Sequence, residues 1–198
     1  MKQIGKKIRI FAVAFLAAVL IIVPSGCAGE EEKNALLAEF TALYEKSVEI
    51  NEIIFGKGLP VDGEYTDIPE SGSYYVPVSD DSPYKTVEEL ENAVLSVYTE
   101  DYYNSVLETT LFVGYGENKD SPYPRYKEED GKLMINLCQE TRTFAVKRLI
   151  SEAKVEKMTM GAAEVSTPYE LNGVRQDNLK SLTLYKTENG WRFDDPTY

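Results

Sequence analysis

Adjacent acidic residues are the side chains of this sequence best able to carry out acid–base chemistry. Asp80-Asp81, Glu128-Glu129-Asp130 and Asp194-Asp195 are three of these groups. A glycosidase needs two carboxylates that face one bond about 5–9.5 Å apart, and neighbours in sequence do not supply that geometry by themselves. Because 33 of the 198 residues are acidic, adjacent acids also arise by chance. An acid-dependent hydrolase is therefore the least favoured of three hypotheses.

Metal and nucleophile chemistry has little support in the residue types. The chain has no histidine, which excludes Ser-His-Asp and Cys-His catalysis and any His-ligated metal. Asp62, Glu64 and Asp67 offer oxygen ligands for Ca²⁺ in one loop, but their spacing fits no EF-hand. Cys138 lies in an apolar run, where a lone thiol is usually a small packing residue. We predict no enzymatic activity, no metal site and no cofactor.

Tyrosine is the residue type here best suited to bind a partner protein, because it combines an apolar ring with a polar tip. Six of the 14 tyrosines fall in predicted loops: Tyr65, Tyr74, Tyr75, Tyr84, Tyr115 and Tyr123. Four others are predicted to be core or half-core residues: Tyr44, Tyr98, Tyr103 and Tyr185. Loop position and charge together predict a partner-binding surface made of Asp80, Asp81, Tyr84, Tyr123, Glu128, Glu129 and Asp130.

The first 26 residues have the pattern of a bacterial lipoprotein signal. Four cations precede an apolar run at residues 10–23, and Pro24-Ser25-Gly26 then leads to Cys27. That run is shorter than the roughly 18–20 residues needed to span a bilayer. We predict that residues 1–26 are removed and that Cys27 carries a lipid on the extracellular face of the cytoplasmic membrane. Pro24 stands where the usual signal has Leu, so an ordinary cleaved signal or an uncleaved anchor is the alternative.

The charge balance indicates which partners the chain can approach. The formal net charge is −12. Loss of residues 1–26 removes four cations and no acids, which leaves 17 cations against 33 acids, a net charge of −16. Such a chain lacks the basic surface that nucleic-acid binding requires. It is also repelled by anionic lipid headgroups and attracted to basic proteins.

Hydrophobic periodicity predicts helices first and strands later, which indicates an α+β fold. Residues 27–33 are interpreted as an acidic tether and residues 34–198 as one domain. Helices are predicted at 34–55, 86–98 and 99–112, with a long loop at 59–85 that contains one short edge strand. Strands with turns at Asp130-Gly131, Asn172-Gly173 and Asn189-Gly190 follow. We expect the N-terminal helices to pack on a curved antiparallel sheet from the C-terminal half.

Short motifs in this order resemble the bacterial DL-endopeptidase inhibitor (IseA-like) family. The resemblance covers residues 74–198 and is carried by 84–90 (YKTVEEL), 97–99 (VYT), 102–103 (YY), 125–127 (RYK), 129–133 (EDGKL), 182–186 (LTLYK) and 189–194 (NGWRFD). It implies an exported cell-wall protein whose acidic surface meets the basic groove of a papain-like peptidoglycan hydrolase and blocks it. The N-terminal helix and the lipid anchor are departures that we do not expect in every member.

The closing strand also resembles those of cystatin-like and SnoaL-like cone folds, which share a helix-then-curved-sheet architecture. This alternative implies a ligand-binding or sensory lipoprotein without catalysis. It requires a deep apolar cavity lined by tyrosines and Trp191, whereas the inhibitor hypothesis is compatible with a filled core.

Overall fold

A computed structural model of the chain describes residues 29–70, 72–114, 123–139, 141–142 and 146–198. The fold is α+β, as predicted, with helices followed by antiparallel strands. Cys27 and Tyr115, which the sequence singled out, lie outside the described residues. In the part of the chain that the structure describes, no helix combines the length and the apolar character needed to cross a bilayer.

Helix α1, Glu30–Ile54, packs along the sheets and is the longest helix described. It begins four residues earlier than predicted, so the end of the predicted tether is helical. The Glu32 carboxylate accepts a hydrogen bond from the Gly29 amide at 3.1 Å, which satisfies one of the amides that a helix start leaves unpaired. One face is buried in the core: Leu36, Phe40, Tyr44, Ile50 and Ile54. The opposite face is exposed and largely acidic.

Two threonines start the next helical segments, as their spacing predicted. Thr86 begins α2, Val87–Leu95, and its hydroxyl accepts from the Glu89 amide at 3.1 Å. Thr99 likewise begins α3, Glu100–Tyr102, which continues into π-helical turns at Tyr103–Leu107 and Thr109–Val113. These wider turns change which residues face inward. Val106, which lies between the buried Tyr103 and Leu107, is 40% exposed.

Replacing Thr86 by Ala should lower the free energy of unfolding by about 1 kcal/mol, the usual cost of losing an N-cap. The Glu89 carboxylate also accepts from the Lys85 amide at 2.7 Å, so the start of α2 is held from both directions. Thr86→Ser keeps the accepting hydroxyl and is the matched control. Urea denaturation of the two variants measures the difference, and equal midpoints would contradict the capping role.

Three strands form a small antiparallel sheet: β1, Tyr75–Pro77; β2, Tyr126–Glu129; and β3, Lys132–Asn136, in the order β1-β3-β2. The β2–β3 turn is the predicted one, since Asp130 (φ 52°) and Gly131 (φ 73°) take the left-handed conformations of a type I′ hairpin. We expected these strands to belong to one continuous sheet with the later strands. They form a separate sheet, because β3 pairs on both sides within this group.

A larger five-stranded sheet follows in the chain. Its strands are β4, Val146–Arg148; β5, Lys154–Met158; β6, Ala162–Leu171; β7, Val174–Thr187; and β8, Gly190–Phe193. The order is β4-β6-β7-β8, and β5 pairs with β6 as well. β4 and β5 share one edge of β6, since Arg148 is opposite Tyr169 whereas Lys154 is opposite Ser166. The sheet therefore curves around α1 and is not a simple meander.

Aromatic rings fill the space between α1 and the larger sheet. The ring of Phe40 meets that of Phe193 edge-to-face at 5.7 Å, and Tyr98 lies 6.5 Å from Phe193 on the other side. Tyr44 and Tyr103 are buried, as predicted. Tyr185 is 44% exposed, so its predicted burial is wrong. The reason is strand alternation, which turns Tyr185 away from the face that carries its buried neighbour Leu184.

Candidate protein-binding surface

The residues that follow β1 form a tightly bonded turn, which we call the aspartate turn (residues 79–82). The Ser79 amide donates to the Pro60 carbonyl at 2.8 Å, and the Ser82 amide donates back to the Ser79 carbonyl at 3.0 Å. The Asp81 amide also donates to the Ser79 hydroxyl at 3.2 Å. Asp80 and Asp81 are exposed on this turn. Their carboxylates therefore project from a fixed backbone.

Lys85 stabilises the aspartate turn through its side chain. Its ammonium donates to the Ser79 carbonyl at 3.1 Å and to the Asp80 carbonyl. Three donors on one flexible stem suit this role, because an ammonium can bind several carbonyl oxygens at once. The Lys85 ammonium therefore donates to backbone oxygens and not to the two aspartate carboxylates, which point to solvent.

Tyr84 connects the aspartate turn to helix α1. The ring is half-buried and packs against the hydrophobic core. Burial raises the pKa of its hydroxyl, and the negative charge of Glu49 raises it further. Glu49 lies on the exposed side of α1, so its charge acts on the tyrosine hydroxyl from that helix. Sequence reasoning did not select Glu49, which is 35 positions from Tyr84 in the chain.

The predicted acidic cluster on the β2–β3 hairpin is exposed. Glu129 forms a 2.6 Å ion pair with Lys127, whose ammonium also lies 4.2 Å from the centre of the Tyr75 ring. Glu128 and Asp130 are exposed beside this pair. The hairpin thus presents three carboxylates and two ammonium groups, that of Lys127 held over an aromatic ring and that of exposed Lys132 on the residue opposite Glu129.

Strand register brings the hairpin and the aspartate turn to the same end of the small sheet. Pro77 is opposite Met134, and the Val78 amide donates to the Leu133 carbonyl at 2.9 Å, close to the start of β3. The turn and the hairpin continue β1 and β2, which flank β3 and so lie about 10 Å apart. We call this set the acidic end, comprising Glu49, Asp80, Asp81, Tyr84, Glu128, Glu129 and Asp130.

Tyr123 is the predicted site residue that the structure places elsewhere. It precedes β2, and its carbonyl accepts from the Gln139 side chain at 2.7 Å beyond the far end of β3. Its side chain is 42% exposed. Six of the seven predicted surface residues therefore lie together, while Tyr123 lies at the opposite end of the same sheet.

Negative charge is concentrated in the part of the chain that carries the helices and the aspartate turn. Residues 29–113 contain 19 acidic residues and four lysines, a net charge of −15, whereas residues 146–198 contain eight of each sign. The larger sheet is thus neutral overall. A count of charge by segment could have revealed this division from the sequence alone.

The remaining candidate side chains either form hydrogen bonds that stabilise the fold or do not come together at one site. Asp194 accepts a hydrogen bond from the Thr99 hydroxyl, and Asp195 accepts one from the Thr183 amide at 2.6 Å. Within the described residues, no three Asp, Glu or Cys side chains are grouped so that they could hold a metal ion. Cys138 is half-buried in a turn after β3. None of these contacts places two carboxylates across a cleft.

The surface depression beside Trp191 is small and open. It has a volume of about 260 Å³ and lies between α1, near Leu43, and the β7–β8 turn. The indole is 5% exposed, with the Lys186 ammonium 5.8 Å from its ring centre. Because Phe40, Tyr98 and Phe193 fill the space behind it, this depression does not resemble the deep apolar cavity that a ligand-binding cone would need.

Comparison of the chain with protein-family models gives no match, and comparison with curated protein sequences gives none either. The resemblance to endopeptidase inhibitors therefore stays a prediction from short motifs. The acidic end and the charge distribution are the features of the described residues that bear on function.

Proposed function

We propose that this chain is an exported lipoprotein, anchored through Cys27, that binds and inhibits a peptidoglycan DL-endopeptidase. The observation that supports this proposal is the acidic end. There, six residues predicted from loop position and charge lie together on a fixed backbone. The proposed partner is a papain-like cell-wall hydrolase with a basic substrate groove. The chain acts by binding and not by catalysis, and it does not bind nucleic acid.

A preorganised backbone and a high negative charge both favour binding of a partner by the acidic end. The aspartate turn is held by backbone hydrogen bonds and by Lys85, so little conformational entropy remains to be lost on association. Tyr84 supplies a half-buried aromatic side chain, a residue type enriched among those that contribute most to binding, and the carboxylates around it suit the polar rim of an interface. The surrounding charge of −15 accelerates encounter with a cationic groove at low ionic strength.

The direct test is an enzymatic assay. The soluble domain, residues 28–198, is mixed at micromolar concentration with a purified papain-like DL-endopeptidase, and the turbidity of a peptidoglycan suspension is followed at low salt. We expect lysis to slow in proportion to the domain added and to recover as salt is raised. Unchanged lysis at low salt would exclude inhibition of that enzyme class.

Reversing charge on the aspartate turn should weaken binding selectively. The double variant Asp80→Lys/Asp81→Lys is expected to associate with the enzyme roughly 10-fold more slowly at low salt, with the difference shrinking at high salt. The measurement is the association rate by surface plasmon resonance across a salt series.

Glu31→Lys/Glu188→Lys is the matched control, since it makes the same change in net charge at exposed positions outside the acidic end. Glu31 lies about 27 Å along α1 from Glu49. If both double variants slow association equally, net charge alone matters and the acidic end is not the binding surface.

A further inference from the structure

Helix α1 begins almost at the predicted site of lipid attachment. Only Ala28 and Gly29 separate Cys27 from Glu30, the first helical residue. Three residues of extended chain span about 10 Å at most. The domain therefore has no long flexible linker on this side, and the N-terminus of α1 has to lie close to any membrane that holds Cys27.

The small sheet is fastened to the other end of α1. The Arg125 side chain donates to the Ile53 carbonyl at 3.0 Å and to the Gly56 carbonyl at 2.6 Å. The Tyr126 hydroxyl donates to the Ile53 carbonyl at 2.9 Å. A helix of 25 residues is about 37 Å long. The sheet that carries most of the acidic end is thus attached one helix length from the lipid-proximal residues.

Charge and burial disfavour an orientation in which α1 lies flat on the bilayer. The helix contains seven acidic residues and two lysines, and its apolar side is buried in the core. Its exposed side has Val48 as the large apolar residue, at 45% exposure. An interfacial helix needs the opposite arrangement, with an apolar face for the acyl region and cations for the headgroups.

We infer that α1 is a rigid spacer that stands away from the membrane and holds the acidic end about 30–40 Å above the lipid surface. Glu49 lies about 29 Å along the helix from Glu30, and the Ser79 amide of the aspartate turn donates at 2.8 Å to the carbonyl of Pro60, which follows the end of α1. The partner is then a basic protein met within the wall layer and not at the lipid surface. This inference rests on the proposed lipid anchor. It extends the proposed function by stating how far from the membrane the binding surface is held.

The test uses the full lipidated chain in vesicles of phosphatidylglycerol and phosphatidylethanolamine that contain a headgroup-labelled acceptor lipid. In a Cys138→Ser background, a donor dye is placed at Lys57→Cys, just beyond α1, or at Glu31→Cys in its first turn; both positions are exposed. We expect energy transfer to the lipid to be several-fold weaker from position 57 than from position 31.

Two readouts separate the possible failures. Co-flotation with vesicles reports on the anchor, and Cys27→Ser should abolish it. Absence of flotation in the lipidated preparation overturns the anchor and the inference together. Flotation with equal energy transfer from both positions overturns the inference alone, because α1 then lies along the bilayer. Binding of the enzyme to the soluble domain tests the inhibitor proposal independently of both results.

Discussion

Raising the pH from 9 to 11 should markedly destabilise this protein, whereas changing it from 6 to 9 should leave its stability almost constant. The neutral range is expected to be flat because the chain has no histidine, the residue whose ordinary pKa lies there. The alkaline range is expected to be steep because the fold buries tyrosine hydroxyls. This contrast is a direct consequence of an unusual composition combined with the observed packing.

Burial is the largest cause of a raised pKa at seven tyrosines: Tyr44, Tyr75, Tyr84, Tyr98, Tyr102, Tyr103 and Tyr126. Burial raises the pKa of Tyr98 to about 12, although hydrogen bonds with Thr197 and Asn51 oppose the shift. The Tyr98 hydroxyl lies 2.8 Å from the Asn51 side-chain oxygen and 2.8 Å from the Thr197 hydroxyl. Ionisation there would place a charge in the core.

The sign of the effect follows from proton binding in the two states. In the unfolded chain a tyrosine loses its proton near pH 10, whereas the folded chain retains it up to the raised pKa. Above pH 10 the unfolded state therefore binds fewer protons, and stability falls as pH rises. For Tyr98 the loss reaches about 2–3 kcal/mol by pH 12. Since a domain is stable by about 5–15 kcal/mol, a few such groups suffice to unfold it.

The measurement is the urea midpoint at pH 6, 7.5, 9, 10 and 11. Tyr98→Phe should be less stable at neutral pH, because Asn51 loses a partner, but it should lose less stability above pH 10 than the native chain. Tyr185→Phe is the matched control at an exposed position and should change neither value appreciably. A midpoint that stays constant up to pH 11 would contradict the argument.

Local signals allowed much of the fold to be predicted. Thr86 and Thr99 begin helices because their hydroxyls can accept from amides three residues later, a property of the sequence alone. The hairpin turn at Asp130-Gly131 is equally local, because both residues tolerate positive φ. The early start of α1 at Glu30 was missed because an acidic segment was interpreted by composition and not by its capacity to begin a helix.

The features of the fold that could not be predicted depend mainly on pairing between residues far apart in the sequence. The strands divide into two sheets because β1, which is separated from β3 by more than 50 residues, pairs with it and closes the small sheet. The π-helical turns that expose Val106 have no periodic signal in the sequence. The surface has the same limits: the charge of Glu49 acts on Tyr84 across 35 positions of chain, and Tyr123 lies apart because it precedes β2 whereas Glu128 to Asp130 end that strand and its turn.

Replacing Arg125 by Met should lower the free energy of unfolding by about 2–4 kcal/mol. The guanidinium is 2% exposed, and within the described residues none of the ion pairs involves it. Its partners are the Ile53 and Gly56 carbonyls, at the C-terminus of α1 where the helix dipole attracts a cation. Met fills similar volume but donates nothing, so the Gly56 carbonyl would be left unpaired.

Arg175→Met provides the matched comparison, because it also removes one arginine. Arg175 is exposed and forms a two-pronged ion pair with Glu152 at 2.7 and 2.8 Å, and an ion pair so exposed to water contributes little to stability. Urea denaturation gives both free energies, and hydrogen exchange locates the change. Because Arg125 ties the small sheet to α1, amides of β2 and β3 should exchange before those of β6 and β7 in Arg125→Met. Equal midpoints for the two variants would mean that the buried guanidinium contributes no more than a surface ion pair, and that apolar packing and the Tyr126–Ile53 hydrogen bond hold α1 and the small sheet together.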